Sequence, residues 1–242
     1  MDKVWLIASG KGGTGKSTLA VNLGAVLATS GRRVLLVDLA IGLRCLDLCL
    51  GLADRVLFDV MDVMDGNCRP CEAILKHPEI SGMSLLPAAQ TRRSAEIDGI
   101  RLRELCGIMS ADYDLIFLDC PPGIEPVLSQ AAQAAGQGIL VATQDPVALR
   151  DADRVSAELA AVGVTGNYLV LNRFRTDHAM KLQLPKAAEL AEMVGLPLLG
   201  TVPEDSAVLA ATLLGEAAYR LYPSSPAGVA YQTIARRIPG KE

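Results

Sequence analysis

Lys11–Thr18 reads KGGTGKST and follows directly on the apolar run KVWLIAS of Lys3–Ser9. Counted from Gly10, the stretch fits G-x-x-x-x-G-K-S, with Gly10, Gly15, Lys16 and Ser17 at the fixed places. The context also matches: a strand-like run comes before it, and a helical pattern, with Leu19, Leu23, Val26 and Leu27 on one face, comes after it and stops at Gly31. Glycines let the backbone wrap so that its N–H groups converge on phosphate oxygens, and the helix N-terminus adds partial positive charge. Gly12, Gly13, Thr14 and Gly15 are the cradle. Lys16 bridges the outer phosphates, the Ser17 hydroxyl ligates Mg²⁺, and Thr18 adds a phosphate contact.

Outward from this loop, strand-like runs recur at Arg33–Leu39, Met83–Pro87, Asp114–Cys120, Gly138–Thr143, Asn167–Asn172 and Leu198–Val202. Most are continuous rather than alternating, as in strands covered on both faces. Helical patterns lie between them at Gly99–Ser110, Pro126–Ala135, Pro146–Val162, Pro185–Val194 and Ala227–Ile238. The alternation predicts an α/β fold, a mostly parallel sheet with helices on both faces, as one domain over residues 1–242. Half of the 242 residues are hydrophobic but only 4 % are aromatic, so the core is built from Ala, Val, Leu and Ile.

Asp114–Asp119 reads DLIFLD, an apolar strand ending in a carboxylate. Beside the phosphate loop, Asp119 is placed to hold Mg²⁺ through water, the alternative being a cap on the turn Cys120–Gly123. A net charge of −4 argues against a nucleic-acid partner held on a broad basic face. No apolar run reaches eighteen residues, and the N-terminus reads as a core strand rather than a signal peptide, which points to the cytoplasm. The six cysteines read as reduced thiols; Cys68 and Cys71 form a lone C-x-x-C, open to a metal or a redox role. His77 and His178 read as isolated surface residues.

The second lysine of the loop, Lys11, has no role in an ordinary phosphate loop. It resembles the signature of the deviant Walker A motif of the ParA/MinD ATPase family. The segments Asp38–Leu48, Leu86–Thr91, Ala148–Arg154, Val202–Asp205 and Ala230–Arg237 are similar, in matching order, to segments of its MinD branch of division-site regulators. The resemblance covers nearly the whole chain. It implies a homodimer around two ATP and Mg²⁺, with Lys11 of each subunit reaching the partner's phosphates. Two such charge-assisted contacts amount to roughly 3–6 kcal/mol, on the order of 10²–10⁴ in dimerisation.

The resemblance implies further roles. Asp38 helps hold Mg²⁺ or its waters. Asn172 reads the base with Arg173, and Arg175, in the place of a guanine-selecting aspartate, favours ATP over GTP. Pro203, Glu204 and Asp205 form a second base loop. Arg150, Asp151 and Asp153 form a docking patch for a MinC-like inhibitor, which Arg44 and Asp47 extend or devote to a MinE-like activator. Ala40 occupies the place of the family's switch aspartate, so slow hydrolysis with intact binding is expected. The ending Ile238–Glu242, with Arg236, Arg237 and Lys241 nearby, lacks the amphipathic helix by which the family lies on membranes as peripheral proteins. Two other enzyme-like readings are a DNA-partitioning ParA-type ATPase and an iron–sulfur carrier. A nucleotide-gated binding module without turnover is a reading of a different class.

Overall fold

The computed structural model describes residues 2–93, 96–124, 126–175 and 182–238. Eight strands form one sheet: β1 Val4–Ala8, β2 Val34–Asp38, β3 Leu75–Lys76, β4 Met83–Leu86, β5 Leu115–Asp119, β6 Gln137–Ala142, β7 Gly166–Phe174 and β8 Leu198–Pro203. Their order is β3-β4-β2-β5-β1-β6-β7-β8. All neighbours run parallel except β3, which pairs antiparallel with β4.

The continuous apolar runs are explained by where alternate side chains go. Val4, Leu6 and Ala8 of β1 enter one core and Trp5 and Ile7 the other, so both faces of the sheet need apolar residues. The first core is closed by α5 (Gly99–Met109), α6 (Pro126–Ala134), α7 (Pro146–Ala161) and α8 (Ala187–Val194). The second is closed by α1 (Lys16–Thr29) and α11 (Pro226–Ala235). Helix α1 is buried on every side from Leu19 to Ala28, because α11 covers the side turned away from the sheet. A Cβ on its Gly24 would lie 3.2 Å from Leu36 and Met83 of the sheet, which is why the smallest residue stands there.

Six short elements escape a periodicity reading: α2 (Leu46–Cys49), a 3₁₀ turn (Ala53–Arg55), α3 (Val60–Met64), α4 (Pro70–Ala73), α10 (Ala218–Leu221) and strand β3. None is long enough to show a repeat. Helix α9 (Ser206–Leu213) also carries no stripe, since it is apolar all round and buries only Ala211. His77 is not on the surface: it is buried, and its Nδ1 accepts from the backbone N–H groups of Glu79 and Ile80, both at 3.1 Å. Burial lowers its pKa, so the ring is neutral and serves as a turn cap. His178 and Lys241 lie outside the described residues.

The order of strands creates the site. Chain leaving β1 enters α1 on one face, whereas chain leaving β6 enters α7 on the other. Between the carboxyl ends of β1 and β6 the crossovers diverge, and a crevice opens at that point.

Candidate nucleotide site

The loop of residues 10–15 spans this crevice between β1 and α1. Gly13 and Gly15 adopt φ of 76° and 89°, which side chains disfavour. Gly15 is the N-cap of α1 and offers no side-chain acceptor, so the first N–H groups of the helix are left for a ligand. The loop is fixed from three sides. Ser9 Oγ donates to the Lys11 carbonyl at 2.7 Å, Gly123 N–H to the Ser9 carbonyl at 2.8 Å, and Asn172 Nδ2 to the Thr14 carbonyl at 2.7 Å. The spaced glycines of the pattern are required by these neighbours. A Cβ on Gly15 would lie 2.2 Å from Asn172 Nδ2, and one on Gly10 would lie 2.4 Å from Asp151 Cβ.

Lys16, at 7 % exposure, stands at the start of α1, and Asp119, at 1 %, at the tip of β5. Ser17 stands beside Asp119 and favours its charged form, but Asp119 Oδ1 has no hydrogen-bond partner. Burial, aided by Asp38 in register on the neighbouring strand, raises the Asp119 pKa to about 7 against the opposing pull of Ser17 and Lys16. A buried carboxylate oxygen without a donor, beside a hydroxyl and a lysine, is a fit for a hydrated divalent cation.

Asp38 has backbone partners that the sequence does not announce. Its Oδ1 accepts from Ala40 N–H at 2.9 Å, and its Oδ2 from Cys45 and Leu46 N–H at 2.8 and 2.9 Å. Burial pushes its pKa up, with Leu46, Ala40 and Cys45 N–H pulling the other way. In this arrangement Asp38 ties down the segment 39–46 at the tip of β2. Ala40 is 7 % exposed and brings only a methyl group to the site.

Lys11 is half-exposed and lies 3.6 Å from Asp145 of its own chain. Asp145 also N-caps α7 through Ala148 N–H at 3.0 Å and accepts from the Thr143 hydroxyl. Burial would raise its pKa, yet Thr143, Ala148 and Lys11 together leave it lowered. Asp145 was not singled out in the sequence; its signal is an acid directly before the proline that opens a helix.

On the base side, β7 carries a register irregularity between Asn172 and Phe174, and Arg173 takes φ of 51°. This bulge presents Asn172 to the phosphate loop and leaves Arg173 exposed. Pro203 ends the adjacent β8, followed by Glu204. Arg175 Nε donates to Glu204 Oε2 at 2.6 Å, and the Arg175 N–H donates to Gln144 Oε1 at 3.0 Å. Asp205 is committed elsewhere: it accepts from Ala207 N–H to cap α9 and from Ala227 N–H to anchor α11, at 2.9 and 3.0 Å.

The expected partner patch is divided. Arg150 and Asp153 are exposed on α7, but Asp151 packs against Gly10 of the phosphate loop. Asp47 is 0 % exposed and faces Arg44 at 2.6 Å, so the expectation that this pair lies on a docking surface is overturned. It is a buried ion pair inside the switch segment, with Arg44 held at φ of 49°. Cys68 and Cys71 flank the start of α4, far from the crevice in sequence, and no group of three or more metal-ligating residues occurs among the described residues. No helix among them is long and apolar enough to cross a membrane.

Comparison with known proteins agrees with this geometry. Residues 5–217 match the model of the CobQ/CobB/MinD/ParA nucleotide binding domain. A putative septum site-determining protein MinD of Guillardia theta is 38 % identical over 242 residues, 100 % of this chain and 90 % of that one. The septum site-determining protein MinD of Synechocystis sp. is 36 % identical over 242 residues, covering 100 % and 91 %. Among solved structures, the MinC:MinD cell division protein complex of Aquifex aeolicus superposes with a TM-score of 0.90 at 32 % identity, over 99 % of this chain and 98 % of that one. MinD of Pyrococcus horikoshii, complexed with Mg-ADP, gives 0.87 at 29 %, over 98 % and 95 %. A phosphate loop with two lysines, an orphaned carboxylate opposite it and full-length likeness all converge: the chain belongs to the CobQ/CobB/MinD/ParA nucleotide-binding family and, within it, to the septum site-determining MinD proteins.

Proposed function

We propose that this chain is an ATP-dependent dimerising switch that recruits a MinC-like septum inhibitor and hydrolyses ATP slowly. The observation that carries the reading is the meeting of Lys16, Ser17 and the unpartnered Asp119 oxygen at the mouth of the phosphate loop. Ser17 and, through water, Asp119 would hold Mg²⁺, which when bound neutralises charge on the outer phosphates. Backbone N–H groups of residues 12–18 bind and orient the phosphates, and Asn172 and Arg173 with Pro203 and Glu204 flank the base.

Lys11 is the link between nucleotide and partner. Its pairing with Asp145 is half-exposed and contributes about 0.2–1 kcal/mol. A charge-assisted contact to a phosphate is worth about 1.5–3 kcal/mol. Leaving Asp145 for the partner's phosphate is therefore downhill, and Asp145 keeps Thr143 and Ala148 as donors. Arg150 and Asp153, exposed on α7, serve the inhibitor, in keeping with the MinC complex of the Aquifex relative.

Slow turnover follows from Ala40. A methyl group cannot orient water, and Asp38 two residues away is occupied by three N–H donors. Restoring the carboxylate with Ala40→Asp is expected to raise ATP turnover by about 10²–10⁴. Equal rates would refute this. Light scattering with ADP and then ATP tests the switch: dimers are expected with ATP alone, and a Lys11→Ala variant that still dimerises would end the bridging role.

A further inference from the structure

We propose that Arg175 sets base selectivity by sequestering the Glu204 carboxylate from guanine. The inference rests on the reading of the slot between residues 172–175 and 203–204 as the base site. Both groups stand at the carboxyl ends of adjacent strands, where Phe174 pairs in register with Pro203. Arg175 Nε and its terminal nitrogen both engage Glu204 Oε2. The Arg175 backbone is fixed in turn, its N–H donating to Gln144 Oε1 at 3.0 Å. The two side chains are 49 % and 48 % exposed. A pair so solvated adds little to folding, so fold stability does not explain why it joins the ends of the two strands.

The chemistry of the bases does explain it. Guanine presents N1–H and its exocyclic amine side by side, a donor pair that matches the two oxygens of a carboxylate. Adenine offers one amine there and an unprotonated ring nitrogen, which a carboxylate repels. A free Glu204 is therefore a guanine acceptor at the rim of the pocket. With Arg175 on it, its charge is neutralised and one oxygen carries two donors. The pair removes the feature a guanine would recruit and leaves adenine's contacts to Asn172 untouched. This is discrimination by withholding a partner rather than by adding one.

The test is competition of non-hydrolysable ATP and GTP analogues against a fluorescent ADP, at low salt with Mg²⁺. Three proteins are compared: the unaltered chain, Arg175→Ala and Arg175→Ala/Glu204→Gln. The ratio of Kd for GTP to Kd for ATP is expected to fall about tenfold or more in Arg175→Ala, the yield of one charge-assisted hydrogen bond. It should return to the original value in the double variant. Melting temperatures should agree within error, since the pair is solvated. A ratio unchanged by Arg175→Ala, or a fall that persists in the double variant, overturns the proposal. Asn172→Ala separates the causes once its effect on inorganic triphosphate, which reports the brace on the Thr14 carbonyl, is subtracted. If it weakens both analogues while Arg175→Ala does nothing, the selectivity role alone fails; if it weakens neither, the base site fails and the proposal with it.

Discussion

If Lys11 bridges subunits as proposed, its pairing with Asp145 competes with dimerisation, and this makes a sharp prediction. Asp145→Asn removes the charge but retains an oxygen that can accept from Ala148 N–H, so the cap on α7 survives. The lysine is then free before ATP arrives. The ion pair is half-exposed at 3.6 Å, which places its worth at about 0.2–1 kcal/mol. A dimer releases two of them, so ATP-dependent dimerisation should tighten by about two- to thirtyfold. Sedimentation velocity with a non-hydrolysable ATP analogue at low salt measures it. Near 1 M salt the Debye length is about 3 Å, so the advantage over the unaltered chain should shrink toward nothing. Asp145→Ala is the control: it frees Lys11 as well but loses the cap, at about 1 kcal/mol and roughly 2–4 °C in Tm. If Asp145→Asn dimerises no more tightly at low salt, Asp145 does not restrain the lysine and the competition described here is wrong.

Three further outcomes follow from the geometry. Gly15→Ala sets a side chain at φ of 89° and drives a Cβ to 2.2 Å from Asn172 Nδ2; a loss of about 2–3 kcal/mol in stability by denaturant titration and loss of nucleotide binding are expected, and retention of both would contradict the loop geometry. Asp47→Asn leaves Arg44 buried without a counter-charge, so stability should fall by about 2–4 kcal/mol in a chemical melt, whereas a docking role would change partner affinity alone. Asp119, raised to about 7, holds its proton in the folded apo protein below that pH while the unfolded chain has released it above about 3.9. Its contribution to apo stability is therefore greatest at low pH and falls as pH rises through 4 to 7. Mg²⁺–nucleotide binding should consequently release more protons at pH 6 than at pH 8 by calorimetry in two buffers, and Asp119→Asn should abolish that difference.

The sheet was legible because its strands are apolar on both faces, and the cradle was legible because backbone wrapping demands glycine at fixed spacing. A sequence is silent where a side chain's surroundings depend on what folds over it. Asp38, Asp47 and Asp205 look alike as exposed-type acids in a string of letters. In the fold Asp38 gathers three backbone N–H groups, Asp47 is sealed against Arg44, and Asp205 caps one helix while anchoring another. His77 was missed for the same reason: it follows a strand of only two residues, Leu75–Lys76, that no periodicity announces, and its N–H continues the pairing by donating to the Met83 carbonyl. Asp145 was missed because its partner Lys11 is distant in sequence and near only once β1 and β6 are paired.

The position of α7 gives these separate contacts a common consequence. Its lead-in residues meet the nucleotide loops twice, Asp145 at Lys11 and Gln144 at Arg175. Its second turn meets them again, where Asp151 packs on Gly10 so closely that no Cβ fits between. On the same turns Arg150 and Asp153 face outward. An inhibitor seated on the outer residues would thus press on a helix whose inner residues rest directly on the phosphate loop. Protein interiors transmit such displacement because they are close-packed and lack slack. Linkage then requires that whatever nucleotide state favours the partner is favoured by the partner in equal measure. Adding a MinC-like inhibitor should lower the Kd of the ATP analogue by the same factor by which the analogue lowers the Kd of the inhibitor. A factor of one in both directions would mean that α7 carries no coupling.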